Sequence, residues 1–361
     1  MIEQDLALEL QNVKRHFAGG KVRAVDGVSL SVRAGEIVSI LGPSGCGKTT
    51  IMRMIAGLET PTEGRIRIHG RDVAGLGPHQ RNIGLVFQSL AVFPHMSVEK
   101  NVAFGLRMRN VASEIIRSKV REVLELVQLP PDNFATRWPN ELSGGQLQRV
   151  ALARTLVTEP ALVLFDEPMA ALDRRLRDYM AVEMRAIQKK LGIAAVYVTH
   201  DQETASTMSD RIAVMNRGRV VQVGPPAEIY DAPASCFVGE FLGDANILTI
   251  RKLFDGNGPF CEVEVEAGRR LRVKAAQHLG KGGRVFFRPG RTKVQMADPG
   301  GGMEAKLVSR SFTAGIYRWK MEFPDGTTLV AHSTQDDLGS VGAGQSIWVT
   351  VDPEQTRLVE A

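Results

Sequence analysis

The sequence predicts an α/β core with an antiparallel β layer and a helical subdomain, followed by a small all-β C-terminal domain. Three observations carry this reading. A glycine-rich loop, Gly42–Thr50, lies between the apolar run Glu36–Leu41 and the helical segment Ile51–Gly57. Two further apolar runs, Ala161–Phe165 and Ala194–Val198, suit strands covered on both faces, as in a parallel sheet. From about Gly243 onward, short alternating stretches separated by Gly, Pro and Asp read as strands of a barrel or sandwich.

Each element follows from its own pattern. Leu6–Val13 and Val25–Val32 alternate apolar and polar residues, which predicts two strands of an antiparallel layer ahead of the loop. Phe17 lies between them in the otherwise polar turn Lys14–Gly20, where an aromatic ring could stack on a purine or fold onto its own domain edge. Thr60–Gly64 reads as a turn, Arg65–His69 as a short strand, and Asn82–Phe87 as a strand ending in Gln88. Val98–Leu106 and Ser113–Leu129 read as helices. In the second, Ile116, Val120, Val123, Leu124 and Val127 form one apolar stripe and Ser113 is the expected N-cap. Pro130-Pro131-Asp132 stops it. Ser143–Val157 and Asp173–Leu191 are expected helices, and Arg211–Met215 with Val220–Val223 a hairpin-like pair. Short helical pieces at Glu228–Tyr230 and Cys236–Leu242 lead into the β-rich region, where Pro324-Asp325-Gly326-Thr327 is a turn signal.

Composition narrows the class. A chain of 361 residues with 43% hydrophobic content is long enough for two domains with real cores. The net charge of +5 comes from interspersed acids and bases rather than a basic tail, so no nucleic-acid partner is expected. Three scattered cysteines, Cys46, Cys236 and Cys261, lack metal spacing and fit a reducing compartment. The acidic start Met1–Asp5 is unlike a secretory signal, and no apolar stretch approaches the ~20 residues that span a bilayer. A soluble protein is expected, with any membrane role supplied by a partner.

The chemistry centres on the loop. Gly42-Pro43-Ser44-Gly45-Cys46-Gly47-Lys48-Thr49-Thr50 matches G-x-x-x-x-G-K-[ST] without a mismatch, in the strand–loop–helix setting the motif requires. Its glycines let backbone N–H groups converge on an anion, and the helix behind adds positive charge. Lys48 can reach β- and γ-phosphates, and the Thr49 hydroxyl can ligate Mg²⁺. A loop of this kind fits kinases, GTPases, motors and transport ATPases alike. The strand Ala161–Phe165 ends in Asp166-Glu167-Pro168, at the edge where open α/β sheets bind ligands. Asp166 is placed to hold Mg²⁺, and Glu167 to polarise a water for in-line attack. Upstream, Leu142-Ser143-Gly144-Gly145-Gln146 opens a helix and forms a second anion cradle, most economically completing the site of another copy.

Leu142–Gln146 with Gln148-Arg149 resembles the signature motif of ATP-binding-cassette ATPases. Other segments are similar to the same family. Gln88 resembles the Q-loop glutamine, which contacts Mg²⁺ and leads into the segment facing the membrane subunit. Ala171-Leu172-Asp173 resembles the D-loop, His200 the switch histidine near the γ-phosphate, and Phe17 the adenine-stacking aromatic, with His16 leaving the register open by one residue. The resemblance covers residues 1–235, the expected nucleotide-binding domain. Residues 243–361 are similar to the oligonucleotide-fold-like regulatory or dimerisation domain of bacterial importer ATPases. It implies ATP hydrolysis with Mg²⁺, a homodimer, two integral membrane permease subunits, an indirect extracytoplasmic solute-binding protein, and a peripheral place on the cytoplasmic face of the membrane. The overall texture leans to spermidine/putrescine import. Ferric iron, phosphonate, sulfate or sugar import are the alternatives, and a soluble cassette ATPase of DNA repair or translation is a distant one. Three positions depart from the pattern: Ala170 where serine is frequent, Leu147 where a polar residue is usual, and Gly290 in Arg288-Pro289-Gly290 where a carboxylate is common.

Overall fold

The computed structural model describes residues 6–254, 259–266, 269–274, 283–300 and 302–361, so the acidic start Met1–Asp5 lies outside the described residues. The chain forms two compact units, Met1–Pro226 and Ala227–Ala361. In chain order the first runs β1 (Leu6–Phe17), β2 (Val22–Arg33), β3 (Ile37–Leu41), α1 (Lys48–Ala56), β4 (Glu63–Ile68), β5 (Arg71–Asp72) and β6 (Ile83–Val86). It continues with α2 (Val98–Met108), α3 (Ser113–Leu126), α4 (Pro131–Phe134), α5 (Gly144–Leu156), β7 (Leu162–Asp166), α6 (Arg174–Leu191), β8 (Ala194–Thr199), α7 (Gln202–Met208), β9 (Arg211–Asn216) and β10 (Arg219–Gly224).

The central sheet has the order β10-β9-β3-β8-β7-β6. Its strands are parallel except β10, which turns back antiparallel on β9. Alternate residues of β3, β6, β7 and β8 feed two cores. Ile37, Val163, Phe165, Ala195 and Tyr197 pack with α2, α3, α5 and α6. Val38, Ile40, Leu162, Leu164, Val196 and Val198 pack with α1 and the antiparallel layer β2-β1-β4-β5. Burial on both faces is why these strands read as continuous apolar runs. The topology gathers the carboxyl ends of β3, β6, β7 and β8 along one edge, where Leu41 pairs with Thr199, Asp166 with Val198, and Val86 with Phe165.

Several boundaries differ from the sequence reading. Lys14–Phe17 is strand rather than turn, because β1 stays paired to β2 through register shifts as far as Phe17 opposite Val22. The bend is confined to Ala18–Gly20, all with positive φ. Ser113 is the first helical residue of α3, not its cap. Ala112 occupies the N-cap, without a side-chain bond. That helix stops at Leu126, and Gln128 turns away with φ 58°.

The second unit starts in α8 (Pro226–Asp231) and α9 (Cys236–Phe241). Its strands are β11 (Asn246–Phe254), β12 (Phe260–Val265), β13 (Arg269–Lys274), β14 (Arg284–Phe287), β15 (Thr292–Gln295), β16 (Met303–Thr313), β17 (Ile316–Glu322), β18 (Thr328–Ser333), β19 (Ser346–Val351) and β20 (Arg357–Val359). Strands β11-β12-β13-β20-β14 close a barrel, and β15-β19-β16-β17-β18 form a second sheet. The expected turn joins β17 to β18, with Gly326 at φ 83° and the Phe323 carbonyl accepting from its amide. Arg288 is 3% exposed and lies between the rings of Tyr230 and Phe286. It donates to the carbonyls of Tyr230, Gly239, Gly243 and Asp244, so in the Arg288-Pro289-Gly290 stretch the arginine is a structural clamp.

Candidate functional site

The loop after β3 is pressed against its neighbours so closely that glycine is obligatory. A Cβ on Gly47 (φ 107°) would sit 2.3 Å from the Ala24 carbonyl, and one on Gly42 2.5 Å from that of Met215. No side chain caps α1, whose N-cap is Gly47 itself. The first-turn amides of Lys48, Thr49 and Thr50 therefore face the loop with the helix's positive end behind them. Lys48 is buried, and its ammonium donates to the carbonyls of Gly42 (2.7 Å) and Pro43 (3.0 Å). Cys46 is buried behind the loop, 3.9 Å from that ammonium, while Ser44, Gly45 and Thr49 are exposed.

Next along the sheet edge, Asp166 ends β7 half-buried. Burial and the adjacent Glu167 push its carboxyl up, against a smaller pull from Arg53. Glu167 adopts a positive φ of 44°, its amide bonded to Val198 O at 3.0 Å. This bends the chain so that Glu167 Oε1 meets His200 Nδ1 at 2.8 Å. An ionised carboxylate only accepts, so the contact takes the proton on Nδ1 and leaves Nε2 at the free end of an exposed ring. Asp201 follows, caps α7 by accepting from the Thr204 amide at 2.6 Å, and pairs with Arg177 at 2.6 Å. Burial would raise its pKa, but the Thr204 and Arg177 hydrogen bonds hold it below the usual carboxylate range.

Ser143 caps α5 in a reciprocal box: its Oγ accepts from Gln146 N (3.3 Å), and Gln146 Oε1 accepts from Ser143 N (2.9 Å). Gly144 is exposed beside Leu172, and Gly145 is buried beside Leu176. Asp173 caps α6 through Leu176 N at 3.0 Å. Gln148, buried, donates to Pro168 O at 2.9 Å and so ties α5 to the turn that carries Glu167.

An ABC transporter family model matches residues 25–170. Over 342 residues the chain is 42% identical to a spermidine/putrescine import ATP-binding protein of Pseudomonas aeruginosa, spanning 93% of this chain and 92% of that protein. The chain belongs to the ABC transporter ATPase family. The protein of the same description from Thermobifida fusca is 54% identical over 245 residues, spanning 67% of this chain but only 63% of that relative. Among solved structures, a dimeric bacterial ABC transporter cassette is 32% identical with a TM-score of 0.53, spanning 61% of this chain and 98% of that one. ATP hydrolysis coupled to transport is the activity of this family.

Gln88 is exposed, two residues past the end of β6, and the segment after it is built by side chains that the motifs do not name. Asn101 of α2 is fully buried. It accepts from Phe93 N (2.8 Å) and donates to the carbonyls of Phe93 (3.0 Å), Met96 (2.9 Å) and Ser97 (3.2 Å). Arg154 of α5 donates to the carbonyls of Leu90 and Ala91, both at positive φ, and lies over the Phe93 ring. Phe93 also packs on Phe104 at 4.7 Å and is half-buried, whereas Pro94 is exposed. Phe17 is half-buried under the Arg15 guanidinium, which lies 4.5 Å from its ring centre. No spacing rule signals Asn101 or Arg154, whose partners are backbone carbonyls and an amide of the segment after Gln88, nor Arg177, which is tied to the neighbours of Asp173 and His200 only through the fold.

Proposed function

We propose that this chain is the ATP-hydrolysing subunit of a bacterial importer for polyamines of the spermidine/putrescine type. The observation that carries the catalytic part is the 2.8 Å contact between Glu167 and His200 on the sheet edge beside the phosphate loop. The substrate class is supported by the Pseudomonas relative, described as a spermidine/putrescine import protein and matched along nearly the whole chain.

Gly42–Thr50, with Gln88 and Asp166, hold the triphosphate, and Phe17 takes the adenine. The donor set of Thr49 hydroxyl, Gln88 amide and Asp166 carboxylate suits Mg²⁺, which takes one or two carboxylates together with phosphate oxygens and water. A raised Asp166 beside a second carboxyl fits a site completed by a cation. The described residues contain no cluster of three or more His, Cys, Asp or Glu of the kind an all-protein cage would need. When bound, Mg²⁺ neutralises charge on the β- and γ-phosphates. Glu167 orients and deprotonates the attacking water, and His200 Nε2 faces the γ-phosphate. Lys48 exchanges its loop carbonyls for phosphate oxygens.

The cradle Ser143, Gly144, Gly145 and Gln146, of which Ser143 and Gly144 are exposed, serves the γ-phosphate of a second copy, so a homodimer encloses two nucleotides. Asp173 stands at the same interface. Ala170 offers no hydroxyl there. Closure draws on ATP contacts and is released when hydrolysis removes them. Gln88–Leu106 passes the motion to two membrane permease subunits on the cytoplasmic face, with the exposed Pro94 a better contact than Phe93. An extracytoplasmic solute-binding protein acts through those subunits. No described helix is long and apolar enough to cross a membrane, in keeping with a subunit that relies on partners to do so.

The test is co-purification with membrane partners, reconstitution in lipid, and ATP hydrolysis with the cognate binding protein, with and without spermidine or putrescine. Stimulation by polyamine is expected. Stimulation only by another solute would discard the polyamine, and a complex without a membrane partner would overturn the importer.

A further inference from the structure

The Glu167–His200 pair borders a small cavity of about 30 Å³, whose lining includes Glu167, Arg177, Tyr197, His200 and Thr204. Two of its polar atoms, Arg177 Nε and the Thr204 hydroxyl, are buried without a hydrogen-bond partner. Thr204 is 2% exposed, so bulk water does not serve its hydroxyl. That hydroxyl lies near enough to the Asp201 carboxylate to favour its ionised form, yet not in position to close a hydrogen bond. A buried donor left unmade is costly. A polar cavity needs only about 10–15 Å³ and two to four partners to hold a water. This one has the room and the partners.

Arg177 also joins two catalytic segments. It sits one turn beyond Asp173, the N-cap of α6. Its Nη1 bonds Asp201, the residue after His200, and its Nη2 reaches the carbonyl of Leu172, the residue before Asp173. One guanidinium thus touches both the turn that bears Asp173 and the turn that bears His200, while Arg177 lines the cavity and its Nε–H is left without a partner.

We propose that the cavity is a water site held by Arg177 Nε–H and the Thr204 hydroxyl, and that Arg177 is a positioning residue which, through this water and Asp201, fixes His200 against Glu167. The inference rests on the catalytic reading of that pair given above. It makes a sharp distinction at Thr204. If no water is bound, replacing an unpartnered buried hydroxyl by a methyl group is neutral or stabilising. With a bound water, the replacement strips a partner from it and loosens the pair.

The experiment measures ATP turnover and ATP affinity of the full chain in Thr204→Val, Thr204→Ser, Arg177→Lys and Glu167→Gln. Thr204→Val should lower kcat about tenfold with ATP affinity unchanged, and Thr204→Ser should recover most of it. Arg177→Lys keeps the charge but not the fork, and should lower kcat by a similar factor without weakening ATP. A crystal structure should show a water within hydrogen-bonding distance of both atoms. Full turnover in Thr204→Val and Arg177→Lys, or empty density between the two atoms, would overturn the proposal. If those variants are normal while Glu167→Gln is dead, the water site alone falls. Near-normal turnover in Glu167→Gln would overturn the catalytic reading and this proposal together.

Discussion

Replacing Asn101 by Ala tests whether one buried amide sets the conformation of the segment that follows Gln88. Its four bonds are not equally replaceable. The Phe93 carbonyl keeps the Met96 amide (3.3 Å), and the Ser97 carbonyl keeps the Asn101 amide (2.9 Å). The Phe93 amide and the Met96 carbonyl lose the partner that Asn101 provides. At about 1–1.5 kcal/mol for each of two such groups, the loss is roughly 2–3 kcal/mol. That corresponds to a fall of about 30- to 150-fold in amide protection across the segment. Hydrogen exchange followed by mass spectrometry on peptides spanning residues 90–108 reads this directly, with α6 peptides as an internal reference. Asn101→Asp sharpens the test. Its carboxyl cannot donate while ionised, and it faces three carbonyl oxygens in a fully buried position. Its folded pKa is therefore raised, so the penalty is smallest below the unfolded value of about 4 and grows as pH rises toward the folded value. Asn101→Ala should show no such trend. Protection within threefold of the parent in Asn101→Ala, or a pH-independent Asn101→Asp, would refute the role assigned to this amide.

Three further outcomes are expected. Glu167→Gln should retain ATP binding but lose turnover on the order of 10²–10⁴-fold, as for loss of a general base, measured by phosphate release at saturating ATP. Gly47→Ala would place a Cβ 2.3 Å from the Ala24 carbonyl at a φ of 107°, so the loop must open. Equilibrium binding of a fluorescent ATP analogue should weaken by about 5- to 150-fold, given a strain of roughly 1–3 kcal/mol. Asp210 is held low in pKa: burial opposes ionisation, but the Ile37 amide, Lys189 and Arg185 more than offset it. Its stabilisation is present above the unfolded pKa of 3.8 and lost as pH falls through the lower folded value. In urea denaturation Asp210→Asn should be less stable than the parent at pH 7, with the gap closing in acid below about pH 4.

Much of the site is legible in sequence because its parts are local. A strand, a glycine loop and a helix follow one another without interruption at Gly42–Thr50, and Asp166-Glu167 and His200 each follow an apolar run directly. Parallel pairing of those runs then collects them on one edge. What depends on register is less legible. Phe17 lies in a strand because bulges let β1 track β2 beyond the point where alternation fades. Ser113 resembles a cap, yet it is the first helical residue of α3 and Ala112 is the N-cap, and nothing in the local composition separates the two. In the second unit, strand spacing suggests a barrel or a sandwich, and the chain forms both a closed barrel and a separate sheet. Closure depends on β13 meeting β20 near the end of the chain, a pairing that no local pattern encodes.

The residues that escape the motifs share a chemistry. Arg81 donates to the carbonyls of Met54 and Ile55 at the end of α1 and to Leu76. Asn101 and Arg154 do the same for the segment after Gln88, and Arg177 bridges the Asp173 and His200 turns. Each is one polar side chain satisfying backbone groups that a turn or helix end leaves without partners. Apolar packing could not hold these loops, because their carbonyls would be buried unpaired. A polar hub also differs from a core in how it yields. Its bonds are directional, individually worth about 1 kcal/mol net, and can pass to water or to another carbonyl one at a time. The two hydrophobic clusters on either side of the central sheet can therefore stay closed while the loops that carry Gln88, Asp173 and His200 change partners. An ATPase that must switch its loops every cycle without opening its core has reason to hang them on hubs of this kind.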